Sequence, residues 1–202
     1  MLERLPTIWP SSGWTMNRAR WRVRILCEDR RTEQFVCRLC KRYDVRVEHV
    51  APAPAGKGSA SAWVRLKYAT SVRKRRSKNF QANLGLLVVI DGDNVGVEGR
   101  LRELAQQLED AAIDPRGPDE AIAVFVPTWS IETWLAHLTG ADGVDEKAPL
   151  KLDERYRVLW NEPKAASETI KTAVAGWDDS STPLPSHRAA LAEARRIGLM
   201  QG

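Results

Sequence analysis

Acidic residues follow three of the four segments that the sequence predicts to be strands. The first strand (21–27) leads into Glu28, and the third (84–90) leads into Asp91 and Asp93. The fourth (121–126) ends at a proline, and Glu132 follows one helical turn later. If the strands are parallel, their carboxyl ends lie at a common edge of the sheet, so these acids can converge although they are distant in sequence.

Converging carboxylates repel one another unless protons or a cation offset their charge. Carboxylate oxygens are hard ligands of the kind that Mg²⁺ and Mn²⁺ prefer. Such ions can polarise a phosphodiester and activate water for in-line attack. The four acids Glu28, Asp91, Asp93 and Glu132 therefore form a candidate catalytic and metal-binding set.

Several of these acids also have ordinary structural explanations. Asp91-Gly92-Asp93 is a common composition for a turn after a strand. Asp29 stands where an N-cap belongs, and Glu33 lies in the first turn of a predicted helix, where the helix dipole favours a carboxylate. For Asp29 and Glu33 the structural role remains as well supported as a catalytic one.

A stretch rich in basic residues precedes the third strand. Residues 56–79 contain eight lysines and arginines and no acid, within a chain of net charge +5. Such a stretch can bind several phosphates, or it can be a solvated charged surface. The candidate nucleic-acid-binding residues are Lys67, Arg73, Lys74, Arg75, Arg76 and Lys78. Trp63 and Tyr68 could stack on bases, although at this spacing aromatic residues are more often core residues.

The order of the elements predicts an α/β fold with a mostly parallel sheet flanked by helices. Strands are expected at 21–27, 45–50, 84–90 and 121–126, with helices at 32–43, 98–113 and 131–138. Residues 51–58 are expected to form a loop. The basic stretch that follows is expected to form a helix with a weak apolar face. Three further helices are expected at 152–160, 167–177 and 186–199.

These residues resemble the Toprim-related proteins of prokaryotic defence systems, the RloB-like and OLD-nuclease-like group. The resemblance covers residues 22–140 and consists of Glu28 with Thr32-Glu33 and Phe35, then Asp91-Gly92-Asp93, then Ile131-Glu132-Thr133-Trp134. It implies a Toprim-like, Rossmann-like fold. Its domain would span 21–140 with a basic insertion at 51–83, between an irregular arm at 1–20 and a helical part at 141–202.

The resemblance also implies roles for individual residues. Glu28 would act as general acid or base, Asp91 and Asp93 would bind Mg²⁺ or Mn²⁺, and Glu132 would be a further ligand or shape the site. The family usually has glycine after the first glutamate, where this chain has Asp29. The implied activity is that of a metal-dependent nuclease, with an ATPase partner encoded nearby.

Composition places the chain among soluble globular proteins, at 43% hydrophobic and 28% charged residues. The sequence contains no apolar run that could cross a membrane and no secretory leader, so a cytoplasmic location is expected. We also expect nucleic acid as the partner, DNA in preference to RNA, while the sequence leaves a monomer and a homo-oligomer both open.

Other motifs carry less weight. Cys37 and Cys40 share a predicted helix without a second ligand pair, so burial explains them better than zinc. His137 and His187 have no nucleophile partner, and there is no phosphate-binding glycine motif of an ATPase.

The second hypothesis is a non-catalytic nucleic-acid-binding or sensor subunit that works with a partner ATPase.

Overall fold

The computed structural model describes residues 21–54, 59–178 and 183–200. The predicted arm at 1–20, part of the predicted loop at 51–58 and the last two residues lie outside these ranges. The strands are β1 (Arg22–Cys27), β2 (Arg46–Pro52), β3 (Leu84–Val89) and β4 (Ile122–Phe125). The helices are α1 (Arg30–Arg42), α2 (Ala60–Arg76), α3 (Gly96–Asp110), α4 (Ile131–Leu138), α5 (Glu154–Arg157), α6 (Pro163–Ala175) and α7 (Pro185–Arg196).

The four strands form one parallel sheet in the order β2-β1-β3-β4. The chain passes outward from β1 to β2 and then returns to the other side of β1 for β3. Strand order therefore reverses between β1 and β3, and in open parallel sheets ligands bind outside the carboxyl ends of the strands at such a switch point. The predicted α/β class with a parallel sheet is confirmed in its Rossmann-like form.

Helices cover both faces of the sheet. One face packs against α1, α4, α6 and α7, and an aromatic cluster of Phe35, Phe125, Trp134 and Trp177 lies at its centre. The other face packs against α2 and α3 through Val64, Tyr68, Leu104 and Leu108. The strands buried between these layers are almost wholly apolar, as expected for a sheet covered on both sides.

The segments after α4 complete one of these layers. Ile170 of α6, Leu191 of α7 and Trp177 between them lie in the same core as the sheet. The helix expected at 152–160 is wrong in extent, because only Glu154–Arg157 is helical. The loop expected to start at Ala51 is also wrong there, because β2 pairs with β1 as far as Pro52. Across the described residues, no helix combines the length and apolarity needed to cross a membrane.

Candidate active site

Glu28 and Asp91 meet at the switch point of the sheet. Glu28 directly follows β1 and Asp91 follows β3 after one residue, and these two strands are neighbours. The Glu28 carboxylate accepts a 2.8 Å hydrogen bond from the backbone N–H of Asp91. Both side chains are buried, at 8% and 7% relative exposure. The expectation that these two acids come together is confirmed.

The environment of this pair disfavours negative charge. Burial raises the pKa of Glu28 to about 7, although the hydrogen bond from Asp91 and the charge of Arg100 oppose the rise. The pKa of Asp91 lies well above its ordinary range because of burial first, and then because of Glu28, Glu132, Asp29 and Asp93. The Oδ1 atom of Asp91 is buried and has no hydrogen-bond partner within the described ranges. A buried carboxylate oxygen without a hydrogen-bond partner raises the free energy of the folded state, and binding of a proton or a cation at this atom would lower it.

Asp93 and Glu132 lie at the same edge, but each carboxylate pairs with an arginine. Asp93 is half exposed and accepts from Arg100 at 2.9 Å. Glu132, in the first turn of α4, is 1% exposed and forms an ion pair with Arg31 of α1. Both acids are therefore neutralised by side chains of this chain.

Arg100 connects the site to α3. Its side chain is 3% exposed, donates to the backbone carbonyl of Asp91 at 2.8 Å, and binds Glu103 at 2.6 Å as well as Asp93. Arg100 lies seven residues after Asp93. Neither Arg100 nor Arg31 was identified from the sequence. The sequence shows that Arg100 lies early in the helix that follows the Asp91 strand. Without the fold, however, such an arginine cannot be distinguished from an exposed surface cation.

Backbone geometry fixes the turn that carries Asp91 and Asp93. A side chain at Gly92 would meet the carbonyl oxygen of Pro127 at 3.0 Å, so glycine lets the two strand ends approach closely. Asp93 and Trp129 both have positive φ, 44° and 65°, and the N–H of Asp93 donates to the carbonyl of Trp129 at 3.1 Å. Non-glycine residues rarely adopt this conformation, which indicates that the turn is held by its surroundings.

Asp29 occupies the position where the resembling family has glycine. Its carboxylate caps α1 by accepting from the N–H of Thr32 at 2.8 Å. The structural explanation of Asp29 is therefore confirmed. Its charge still contributes to the raised pKa of both Glu28 and Asp91.

The donor set fits a hard divalent cation in part. The oxygen ligands are of the right kind, and the unpartnered oxygen of Asp91 is available. However, the described ranges contain no group of three or more His, Cys, Asp or Glu side chains arranged to hold a metal. Since Mg²⁺ usually keeps several waters and binds through one or two carboxylates plus substrate phosphates, Asp91 and one neighbouring acid would suffice.

The basic stretch lies away from this edge for most of its length. In a strand–helix–strand unit the helix runs antiparallel to the strands, so the end of α2 reaches the amino ends of the strands. Arg76 accordingly binds Glu120, which precedes β4, at 2.7 and 2.8 Å. The densest part of the basic stretch, residues 73–76, therefore ends at the side of the sheet opposite to the acids.

Several of the predicted nucleic-acid-binding residues have internal partners. Arg73 donates to the carbonyl of Ala111 at 2.9 Å, Arg75 is buried and donates to Asn79 at 3.0 Å, and Lys78 lies 3.8 Å from Glu48. The contacts of Arg73 and Lys78 join this segment to the end of α3 and to β2, whereas that of Arg75 is local. Lys67 and Lys74 remain exposed and without an acidic partner in the part of the chain that the structure describes.

Comparison of the chain with protein-family models, curated proteins and solved structures finds no match.

Proposed function

We propose that the protein is a Mg²⁺- or Mn²⁺-dependent nuclease with a Toprim-like domain. One observation carries the proposal: a buried Asp91 with an unpartnered oxygen lies beside Glu28 at the switch point of a parallel sheet. Clefts at this position bind ligands in open α/β folds, and buried acids with raised pKa values mark functional sites.

The two acids divide the work in this proposal. Asp91 would bind the cation, with water and a substrate phosphate as further ligands, and the cation would supply electrophilic activation of the phosphodiester. Glu28 would transfer a proton, since a carboxyl with a pKa of about 7 can both give and accept one near neutral pH.

The arginine-paired acids would have supporting roles. Asp93 is half exposed, so its carboxylate could release Arg100 and bind the cation when substrate enters. Glu132 is too deeply buried for that, so it would position Arg31, whose half-buried guanidinium stands at the edge of the site. Arg31 could then bind a phosphate oxygen of the substrate.

The biological setting proposed here comes from the motif resemblance. The protein would act in a prokaryotic, anti-phage defence system, in the cytoplasm, with a partner ATPase. Its substrate would be nucleic acid, with DNA preferred over RNA.

A cleavage assay with matched variants tests the proposal. The purified chain is incubated with plasmid, single-stranded DNA and RNA, with Mg²⁺, with Mn²⁺ or with EDTA. Asp91→Asn and Glu28→Gln should abolish metal-dependent cleavage, because each keeps the side-chain shape and removes the ionisable group. Asp119→Asn and Glu109→Gln are the controls, since both acids are exposed and Glu109 lies at the end of α3 opposite to the site. Cleavage that persists in Asp91→Asn would contradict the proposal.

A second candidate function is a non-catalytic nucleic-acid-binding or sensor subunit for a partner ATPase. The pairing of Asp93 and Glu132 with arginines favours it, because these contacts neutralise the edge without any ion. Calorimetric titration with Mg²⁺ separates the two. Heat of binding that disappears in Asp91→Asn supports the nuclease, whereas no binding of Mg²⁺ together with metal-independent binding of nucleic acid supports the subunit.

A further inference from the structure

A basic pocket of about 230 Å³ lies between α2 and the β1–β2 side of the sheet. Four of its lining residues have basic side chains, and no described residue that lines it is acidic. The basic residues are Arg24 of β1, His49 of β2, and Lys67 and Lys74 of α2. Lys67 and Lys74 are seven residues apart on α2, about two helical turns, so they lie on the same face of the helix and line the same cavity.

These basic side chains differ from the other cations of the region in having no internal partner. Arg65, Arg76 and Lys78 each form an ion pair with a glutamate of a neighbouring element. Within the described ranges, no side chain or carbonyl accepts from Arg24, Lys67 or Lys74, although Arg24 is half-buried on the sheet. Like charges collected without a counter-charge repel one another, and a bound anion would relieve this repulsion.

The remaining lining residues indicate what kind of anion would fit. Trp63 forms part of the wall while its ring also packs against the core beneath α2, so its position is fixed. Thr70 and Ser71, which carry hydroxyl groups, lie in the same wall. An indole face offers a stacking surface for a base, and hydroxyls with cations suit phosphate oxygens.

We propose that this pocket binds a nucleotide, with its phosphate on Arg24, Lys67 and Lys74 and its base against Trp63. The inference rests on the proposed function only for the choice of a nucleotide as the anion. The nucleotide can be free or can be one residue of an oligonucleotide. Arg24 and Glu28 are four residues apart on the chain, about 13 Å in an extended strand, so one oligonucleotide can reach both the pocket and the catalytic edge.

Binding measured without metal tests the pocket separately from catalysis. Fluorescence anisotropy of a labelled decathymidylate is followed in EDTA with the full chain, over a series of salt concentrations. The double variant Lys67→Gln/Lys74→Gln should bind at least about tenfold more weakly, and its salt slope should fall by about 1.4, since each phosphate contact to a single strand contributes about 0.7. The matched control is Lys41→Gln/Lys164→Gln, which makes the same charge change on the opposite face of the sheet.

A second variant examines the base. Trp63→Leu should weaken decathymidylate about 5- to 100-fold, the range for loss of one stacked base, while leaving competition by inorganic phosphate unchanged. Circular dichroism and the midpoint of thermal unfolding of each variant exclude misfolding as the cause.

The competitors identify the source of the nucleotide. Displacement of the probe by thymidine monophosphate, with oligonucleotide binding lost in the double variant, supports a strand-binding pocket. Binding of the mononucleotide alone, again lost in the double variant, supports a site for a free nucleotide. Equal binding by wild type and double variant, or no binding of any of these probes, overturns the inference. Because cleavage is not measured, an inactive catalytic edge leaves all of these results unaffected.

Discussion

Replacing Glu28 with glutamine should stabilise the metal-free protein above neutral pH. The raised pKa of Glu28 means that the folded state holds its proton from the ordinary value of 4.5 up to about 7. In that window the folded state binds more protons than the unfolded chain, so stability falls as pH rises through it. Below the window both states are protonated, and above it both are charged.

The size of the effect follows from the same shift. The rise from 4.5 to about 7 corresponds to about 3 kcal/mol, of which about 2–3 kcal/mol should be lost between about pH 5 and about pH 8. Ionisation of Asp91 should also lower stability as pH rises, since its pKa is raised as well. Glutamine keeps the oxygen that accepts from the Asp91 N–H and removes the buried charge. Glu28→Gln should therefore unfold about 5–10 °C higher than wild type at about pH 8, with a flatter pH profile.

Thermal and urea denaturation in EDTA, followed by tryptophan fluorescence at several pH values, measure the differences in unfolding temperature and free energy. Glu98→Gln removes a carboxylate that is 90% exposed, so it should change stability by less than about 0.5 kcal/mol at every pH. If Glu28→Gln is less stable than wild type at about pH 8 and keeps the wild-type pH slope, Glu28 is charged and stabilised by its surroundings. The reasoning about its burial would then fail.

Three further experiments test contacts of the fold and the site. Arg31→Gln should cost about 2–3 kcal/mol of unfolding free energy because it leaves the buried Glu132 unpaired, and the added change Glu132→Gln should restore most of it. Arg76→Gln should lower the free energy of unfolding by about 1–2 kcal/mol because it removes the contact with Glu120. Lys74→Gln, at a lysine without an acidic partner in the described ranges, should change it by less than about 0.5 kcal/mol. Equal losses in the two variants would contradict this difference. Gly92→Ala should cost about 1–3 kcal/mol and lower any cleavage activity, because its methyl group would press on the neighbouring strand end; an unchanged thermal midpoint would contradict this.

Local pattern was sufficient for the elements and for part of the site. Apolar runs such as 84–90 indicate buried strands, and the parallel arrangement then places Glu28 and Asp91 at one edge whatever the details of packing. The amphipathic spacing of α1 and the cap at Asp29 are likewise properties of neighbouring residues. These features depend on side-chain periodicity within a few residues, which the sequence displays directly.

The partners of the charged groups depended on the tertiary structure alone. Arg31 and Glu132 are 101 residues apart, and Arg76 and Glu120 are 44 apart. A run of cations looks unopposed in the sequence because the acids that neutralise it belong to other elements. The direction of α2 relative to the sheet decided that Arg76 pairs with Glu120, far from Asp91, while Lys67 and Lys74 line a pocket with Arg24. Charge pairing is a matter of distance in space, and only the packed chain determines which distances are short.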